Sequence, residues 1–194
     1  MKKQYDIDKI MQENEVLINK SKEYMSKITD DFEHNQEHIK DVIGFLIQIM
    51  NNINEEFNPT VCIIAAYWHD VARTVMGDGH EQESSEMLKH EMQQLGYNSD
   101  LILQCYQAVL YHKWNMQPKT IEGKIVRDAD KLAWIGTLRW KECLNNNQSL
   151  EAIVELLPKL RNEILHFDIS REIYDNQIPQ LINLIYSKVI DKSN

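Results

Sequence analysis

The most apolar segment of the chain runs from Val61 to Trp68, and two polar residues, His69 and Asp70, follow it directly. Asn58 and Pro59 precede the segment, and they are typical of the N-cap and of the first residue of an α-helix. A helix that is apolar on nearly every side lies in the centre of a domain, covered by other elements. The sequence therefore predicts a central, buried helix that the rest of the chain must cover.

The segments on either side of this helix carry the spacing of amphipathic helices, with apolar residues three and four positions apart. The chain has only 6 Gly and 4 Pro in 194 residues, and no alternating pattern is long enough for a sheet. We predict an all-α fold in a single domain over residues 1–194, in which terminal helices pack on a core of about residues 30–140. The predicted helices cover about residues 6–28, 31–54, 59–73, 81–95, 98–112, 120–144 and, as two helices, 148–192.

Short signals mark several of these helix ends. Asp30 and Glu33 resemble a capping box at the start of the second helix. Gly96 ends one helix and Asn98 can cap the next. The run of asparagines at 145–147 predicts a turn, and a break is expected near Gly136.

The charge and the cysteines restrict the class of protein. The net charge is −9 and the pI is about 5.2, so a nucleic acid polymer is a poor candidate partner. Cys62, Cys105 and Cys143 lie far apart, which favours reduced, buried thiols over disulfides. The first residues lack the apolar segment of a signal peptide, and eight apolar residues at 61–68 are too few to span a bilayer. We therefore expect a cytoplasmic protein that does not bind membranes.

Polar residues at buried positions indicate a functional site. Burying an ionised Asp70 without partners costs several kcal/mol or more, and a divalent cation would compensate it. The simpler alternative to a metal site is that Asp70 caps or salt-bridges the helix end and that His69 beside it is hydrogen-bonded. Asp128 and Asp130 interrupt an apolar helix face; the alternative is that they lie on a solvated, charged face of that helix. His38 lies on the inner apolar stripe of the second helix.

Together, two imidazoles and two carboxylates from three helices predict a divalent metal site, although an inward histidine alone is usually a hydrogen-bonded core residue. Such ligands suit Mn²⁺, Mg²⁺, Fe²⁺, Co²⁺, Ni²⁺ or Zn²⁺ and leave positions open for water and substrate.

The same residues resemble the HD-domain superfamily of metal-dependent phosphohydrolases, over about residues 30–140. His38 in EHIKDV, the pair His69 and Asp70 in AAYWHDVAR, and Asp130 in DADKL match its pattern. The resemblance implies a metal on these four residues and hydrolysis of a phosphate ester or anhydride. The nearest likeness is to small stand-alone bacterial members, some of which cleave nucleotides.

The resemblance also separates neighbouring candidates. His34 lies one helical turn before His38, but only His38 is followed by an apolar residue at +1 and by Val at +4, as in the family. The family ligand precedes Lys-Leu, which selects Asp130 and leaves Asp128 a supporting or structural role.

Two further histidines, His80 and His112, leave open whether the site binds one metal ion or two. In binuclear members, the positions of His80 and His112 hold a second metal, and in mononuclear members they contact phosphate. Solvent-exposed histidines at loop ends are the alternative for both. His90 and His166 are predicted to be surface residues on amphipathic helices.

We therefore predict a phosphohydrolase acting on a small phosphorylated molecule, first of all a nucleotide. The predicted catalytic residues are Asp70, which would orient or deprotonate the water, with His112, Arg73 and Lys113; solvated charges are the alternative for the two cations and for Lys131. The rival functions are a binuclear-iron oxygenase on the same scaffold and a non-catalytic ligand-binding HD module. The sequence leaves the metal, the substrate and the formation of a homodimer open.

Overall fold

The computed structural model describes residues 5–27, 36–136 and 150–191. Every regular element in these ranges is helical, which confirms the predicted all-α class. In chain order the elements are α1 (Ile7–Glu13), α2 (Glu15–Met25), α3 (Gln36–Met50), α4 (Pro59–Trp68), a 3₁₀ turn (Val71–Thr74), α5 (His80–Gln94), α6 (Ser99–Leu110), α7 (Ile121–Trp134), α8 (Leu150–Lys159), a π-helical turn (Leu160–Ile164) and α9 (Asp168–Asp191).

Helix α4 lies at the centre, as predicted. Every residue from Val61 to Trp68 is buried, and α2, α3, α6 and α7 pack around the helix. The Asn58 side chain accepts a hydrogen bond from the Thr60 N–H at 3.0 Å, and Pro59 is the first helical residue. The α-helix ends at Trp68, where the sequence predicted that it continues to residue 73. The backbone leaves helical geometry at Asp70 and continues as the 3₁₀ turn.

The predicted helix over residues 6–28 is two helices, α1 and α2, which meet at Asn14. The Asn14 side chain donates to the Ile10 carbonyl at 2.8 Å and accepts from the Tyr97 hydroxyl at 2.9 Å. An asparagine that hydrogen-bonds the backbone competes with helix geometry, and its φ of −114° interrupts the helix here. The apolar spacing runs through this break and could not reveal it.

The other helix limits agree within a few residues. Helix α3 ends at Met50, four residues before the predicted limit, and Asn98 caps α6 through the Leu101 N–H. Helix α7 ends at Trp134, and its predicted extension beyond residue 136 lies outside the described residues. The same holds for the capping box at residues 30–33, for Cys143 and for the turn at 145–147.

The C-terminal helices join the same core. Leu160, Leu181 and Ile185 are buried in it, and the backbone ahead of α9 bonds to the middle of α7. Cys62 and Cys105 are free and buried, as predicted. Within the described ranges, no helix combines the length and apolar character that crossing a bilayer requires. The single-domain organisation over 1–194 stays a prediction.

Candidate metal centre

Three helices bring the first group of donors together. His38 comes from α3, His69 from the end of α4 and Asp130 from α7, and all three are buried. The His38 Nε2 lies 3.2 Å from the Asp130 Oδ1, and the His69 Nε2 lies 3.7 Å from the same oxygen. We call this group the helix cluster; its ligand atoms all lie within 4.8 Å of one another, close enough to share one ion.

A second buried group contains Asp70, His80 and His112, and we call it the loop cluster. His80 begins α5 after a glycine-rich loop, and His112 follows α6. The Asp70 Oδ1 lies 3.1 Å from the His80 Nε2 and 3.6 Å from the His112 Nε2. These two histidines therefore converge on the predicted site, and the alternative of solvent-exposed histidines at loop ends is wrong for both.

The Asp70 carboxylate lies between the two clusters. Its Oδ1 faces the loop cluster, whereas its Oδ2 lies 3.3 Å from the His69 Nε2 and 3.9 Å from the His38 Nε2. A carboxylate that offers one oxygen to each of two donor groups is suited to bridge two cations. These distances join all six predicted ligands into one continuous centre.

The hydrogen bonds of the imidazoles fix which nitrogen faces the centre. The Nδ1 atoms of His69, His80 and His112 lie 2.6–2.8 Å from the backbone carbonyls of Ala66, Gly77 and Val109. A carbonyl only accepts, so each Nδ1 carries a hydrogen, and the Nε2 of each ring faces the centre, where it offers a lone pair whenever the ring is neutral. This arrangement is the one that metal-binding histidines adopt.

These inward lone pairs face other acceptors. The Nε2 atoms of His80 and His112 lie 3.4 Å apart, and both point to the Asp70 carboxylate. Lone pairs repel one another and carboxylate oxygens unless a cation or a proton lies between them. The donor set of four imidazoles and two carboxylates therefore fits divalent metal ions.

The electrostatics of the centre point the same way. Burial would raise the pKa of the Asp70 carboxyl, but the surrounding imidazoles, His69 first among them, hold that pKa well below its usual range. Burial would lower the pKa of His69, but the Asp70 and Asp130 carboxylates raise it above its ordinary value. Burial lowers the pKa of His112. The centre thus holds ionised carboxylates that attract any available cation.

The predicted cations have different positions around the centre. The Arg73 Nε donates to the Asp70 Oδ1 at 3.0 Å, and its side chain stays partly exposed. The buried Lys131 donates to the Asp130 Oδ2. The Lys113 ammonium lies 3.3 Å from Glu81, which the sequence analysis did not single out. An acidic residue in the first turn of a helix is common, so Glu81 carried no signal that its side chain would be buried.

The Asp128 carboxylate bonds to backbone groups and belongs to neither cluster. Its carboxylate accepts from the backbone N–H groups of His166 and Phe167 at 2.9–3.2 Å, and it contacts the His166 Nδ1 at 2.9 Å. His166 lies before the start of α9, and its side chain is partly buried against Asp128. The prediction that it is a surface residue on a helix is therefore wrong. His90 is exposed, as predicted. His38 lies in the helix cluster, whereas His34 falls outside the described residues.

Comparison with known proteins places the chain in a family. The crystal structure of a predicted HD superfamily hydrolase from an uncultured Thermotogales bacterium superposes with a TM-score of 0.68 at 20% identity. The match covers 96% of this chain and 99% of that one. No curated protein matches the chain by sequence. The family model described as HD domain matches residues 35–135. Because this match spans more than half of the chain, the protein belongs to the HD-domain family.

Proposed function

We propose that this protein is a metal-dependent phosphohydrolase that holds two divalent ions and acts on a small phosphorylated molecule, with nucleotides as the first candidates. Membership of the HD-domain family and the two donor clusters support metal-dependent hydrolysis. The observation that carries the proposal is the Asp70 carboxylate, with one oxygen on each cluster.

The six predicted ligands divide into two sets that share one residue. His38, His69 and Asp130 would hold one ion, His80 and His112 the other, and Asp70 would bind both. When bound, such ions supply an activated water and polarise a phosphoryl oxygen. The identity of the metal is left open among Mn²⁺, Mg²⁺, Fe²⁺, Co²⁺, Ni²⁺ and Zn²⁺, because mixed His/Asp ligands suit several of them.

In the proposed reaction, the water oxygen forms a bond to phosphorus while the bond to the leaving oxygen breaks. One proton of the water leaves with the product alcohol or phosphate, so the reaction needs no other reactant. The Asp70 carboxylate would also orient the attacking water. In this binuclear proposal His112 acts as a ligand and not as a phosphate contact.

Arg73 and Lys113 would bind the phosphoryl oxygens. Both side chains are partly exposed, and both now pair with carboxylates, Arg73 with Asp70 and Lys113 with Glu81. A cation bound by Asp70 would compete with the Arg73 guanidinium and leave it available to an anionic substrate. Lys131 is buried against Asp130, so we assign it to holding that ligand instead.

The test is hydrolysis by the purified protein after loading with each candidate ion. The substrates are nucleoside mono-, di- and triphosphates and simple phosphomonoesters, and release of phosphate and of pyrophosphate is measured. We expect turnover that requires a divalent ion. Absence of turnover on every compound would reject the proposal.

The complete set of six donors also supports a second candidate, a binuclear-iron oxygenase. Iron-dependent oxygen consumption with an organic substrate, without any phosphate release, would favour that function. The cations beside the donors favour the phosphohydrolase, because an anion is the ligand that they would bind. The cytoplasmic location and a homodimer remain predictions.

A further inference from the structure

A pair of indole rings lies beside the helix cluster. Trp114, in the loop that follows α6, comes two residues after His112, and Trp134 ends α7. The two ring centroids lie 5.2 Å apart in an edge-to-face arrangement. Both residues are partly exposed, whereas most residues of α7 are buried.

Two buried cations of α7 contact Trp114. Arg127 and Lys131 lie on the same face of α7 as Trp134, about two turns and one turn before it along the helix. The Arg127 Nη2 donates to the Trp114 carbonyl at 2.7 Å, and the Lys131 ammonium lies 4.9 Å from the centre of the Trp114 ring. The loop that carries Trp114 is therefore held against α7 at two points.

The same contacts connect the rings to the donors. The Lys131 ammonium that lies against the Trp114 ring also binds the Asp130 carboxylate. Trp114 is thus one side chain away from a predicted ligand of the helix cluster and two residues away from a predicted ligand of the loop cluster. The indole pair therefore lies beside the residues that would hold the ions.

We propose that Trp114 and Trp134 form the subsite that binds an aromatic ring of the substrate, which for a phosphorylated metabolite means the base of a nucleotide. Partly exposed indoles can stack on any nucleobase, because every base has a π-face. This inference rests on the proposed phosphohydrolase function and adds to it the residues that select the substrate class.

The test compares two substrates that differ only in the base. Adenosine 5′-monophosphate and ribose 5-phosphate are hydrolysed by metal-loaded protein, and kcat/KM is measured for each. We expect Trp114→Leu to lower the nucleotide-to-sugar ratio about tenfold, mainly through the KM of the nucleotide. Trp114→Phe, which keeps an aromatic ring, is expected to retain most of the ratio, and Trp134→Leu provides a second variant should Trp114→Leu fail to fold.

Tyr106 supplies the matched control. The Lys89 ammonium lies 5.5 Å from its ring centre, so it is a lysine–aromatic pair of the same kind, on α5 and α6 and outside both donor clusters. Tyr106→Leu is expected to leave the ratio unchanged. Equal losses on both substrates in Trp114→Leu, or no loss on either, would overturn the inference while leaving the phosphohydrolase proposal standing.

A binding measurement separates the two proposals further. Adenosine carries no phosphate, so calorimetric titration of the metal-loaded protein with adenosine and with ribose does not depend on turnover. We expect adenosine to bind the wild-type protein more tightly than ribose, and Trp114→Leu to remove the difference. Equal binding of both compounds by the wild-type protein would overturn the aromatic subsite, even where phosphate esters are hydrolysed.

Discussion

The helix cluster and the loop cluster offer similar donors, but different parts of the structure position them. His38 projects from the first turn of α3 and Asp130 from within α7, and these two helices pack closely against each other. His80 and His112 lie where helices meet loops, and the Nδ1 of His80 is held by the carbonyl of Gly77 in the loop itself. Helix packing fixes the first set, whereas local loop geometry fixes the second. We therefore expect the helix cluster to bind its ion more tightly.

Asp70 is the point at which the two clusters meet, and its removal is expected to have the largest effect. Asp70→Ala should lose both ions and lower the hydrolysis rate by more than about 100-fold, because even residues that only support metal ligands are worth 10- to 100-fold. Metal analysis and phosphate release measure the two effects. Glu56→Ala, which changes an exposed carboxylate outside both clusters, is the control. Full metal content in Asp70→Ala would contradict the bridging role.

Single histidine changes separate the clusters. His112→Ala should reduce the bound metal from near two ions per chain to near one, because His69, His38 and Asp130 remain in place. His38→Ala should instead weaken binding of the ion in the helix cluster. The two variants should therefore lose different ions on dialysis. A stoichiometry near one in the wild-type protein, with a raised KM in His112→Ala, would assign His112 to phosphate binding.

Asp128 tests whether the middle of α7 has separate structural and metal-binding residues. Asp128→Ala removes the acceptor of two backbone N–H groups, so we expect a loss of about 2–4 kcal/mol in the free energy of unfolding, measured with denaturant. The folded variant should keep its metal content. Loss of metal without loss of stability would instead place Asp128 among the ligands.

The glycine before His80 is expected to give the smallest effect. Gly79 has a φ of +82°, which an L residue adopts at a cost of about 1–2 kcal/mol, and an added Cβ would meet only the Met76 sulfur at 3.9 Å. Gly79→Ala should therefore lower stability by about 1 kcal/mol and weaken only the loop cluster. Gly44→Ala is the control: Gly44 is an exposed position within α3, where an added Cβ meets no atom within 4 Å, so the change should be neutral or stabilising. Equal metal affinities in both variants would contradict the dependence of the loop cluster on backbone geometry.

The sequence predicted the helix cluster better than its surroundings, for physical reasons. The apolar positions around His38, His69 and Asp130 repeat at helical spacing, so helix packing could be inferred from them. The pairing of Asp128 with the backbone at His166 joins residues 38 positions apart and depends on how the C-terminal segment folds back. Spacing within one segment contains no such information.

Local competition explains the other differences. The break at Asn14 arises from a side chain that bonds to the Ile10 carbonyl, while the apolar stripe continues across it. The α-helix stops at Trp68 because Asp70 adopts a non-helical backbone beside the donors. Glu81 is buried because the fold places Lys113 next to it. The spacing of apolar residues specifies none of these three features.

The most direct test is a crystal structure of the protein loaded with Mn²⁺, with the ions located by anomalous scattering. The account predicts two peaks about 3.5–4 Å apart on either side of the Asp70 carboxylate. One peak should contact His38, His69 and Asp130, and the other His80 and His112. A single peak, or two peaks that do not share Asp70, would contradict the bridged centre.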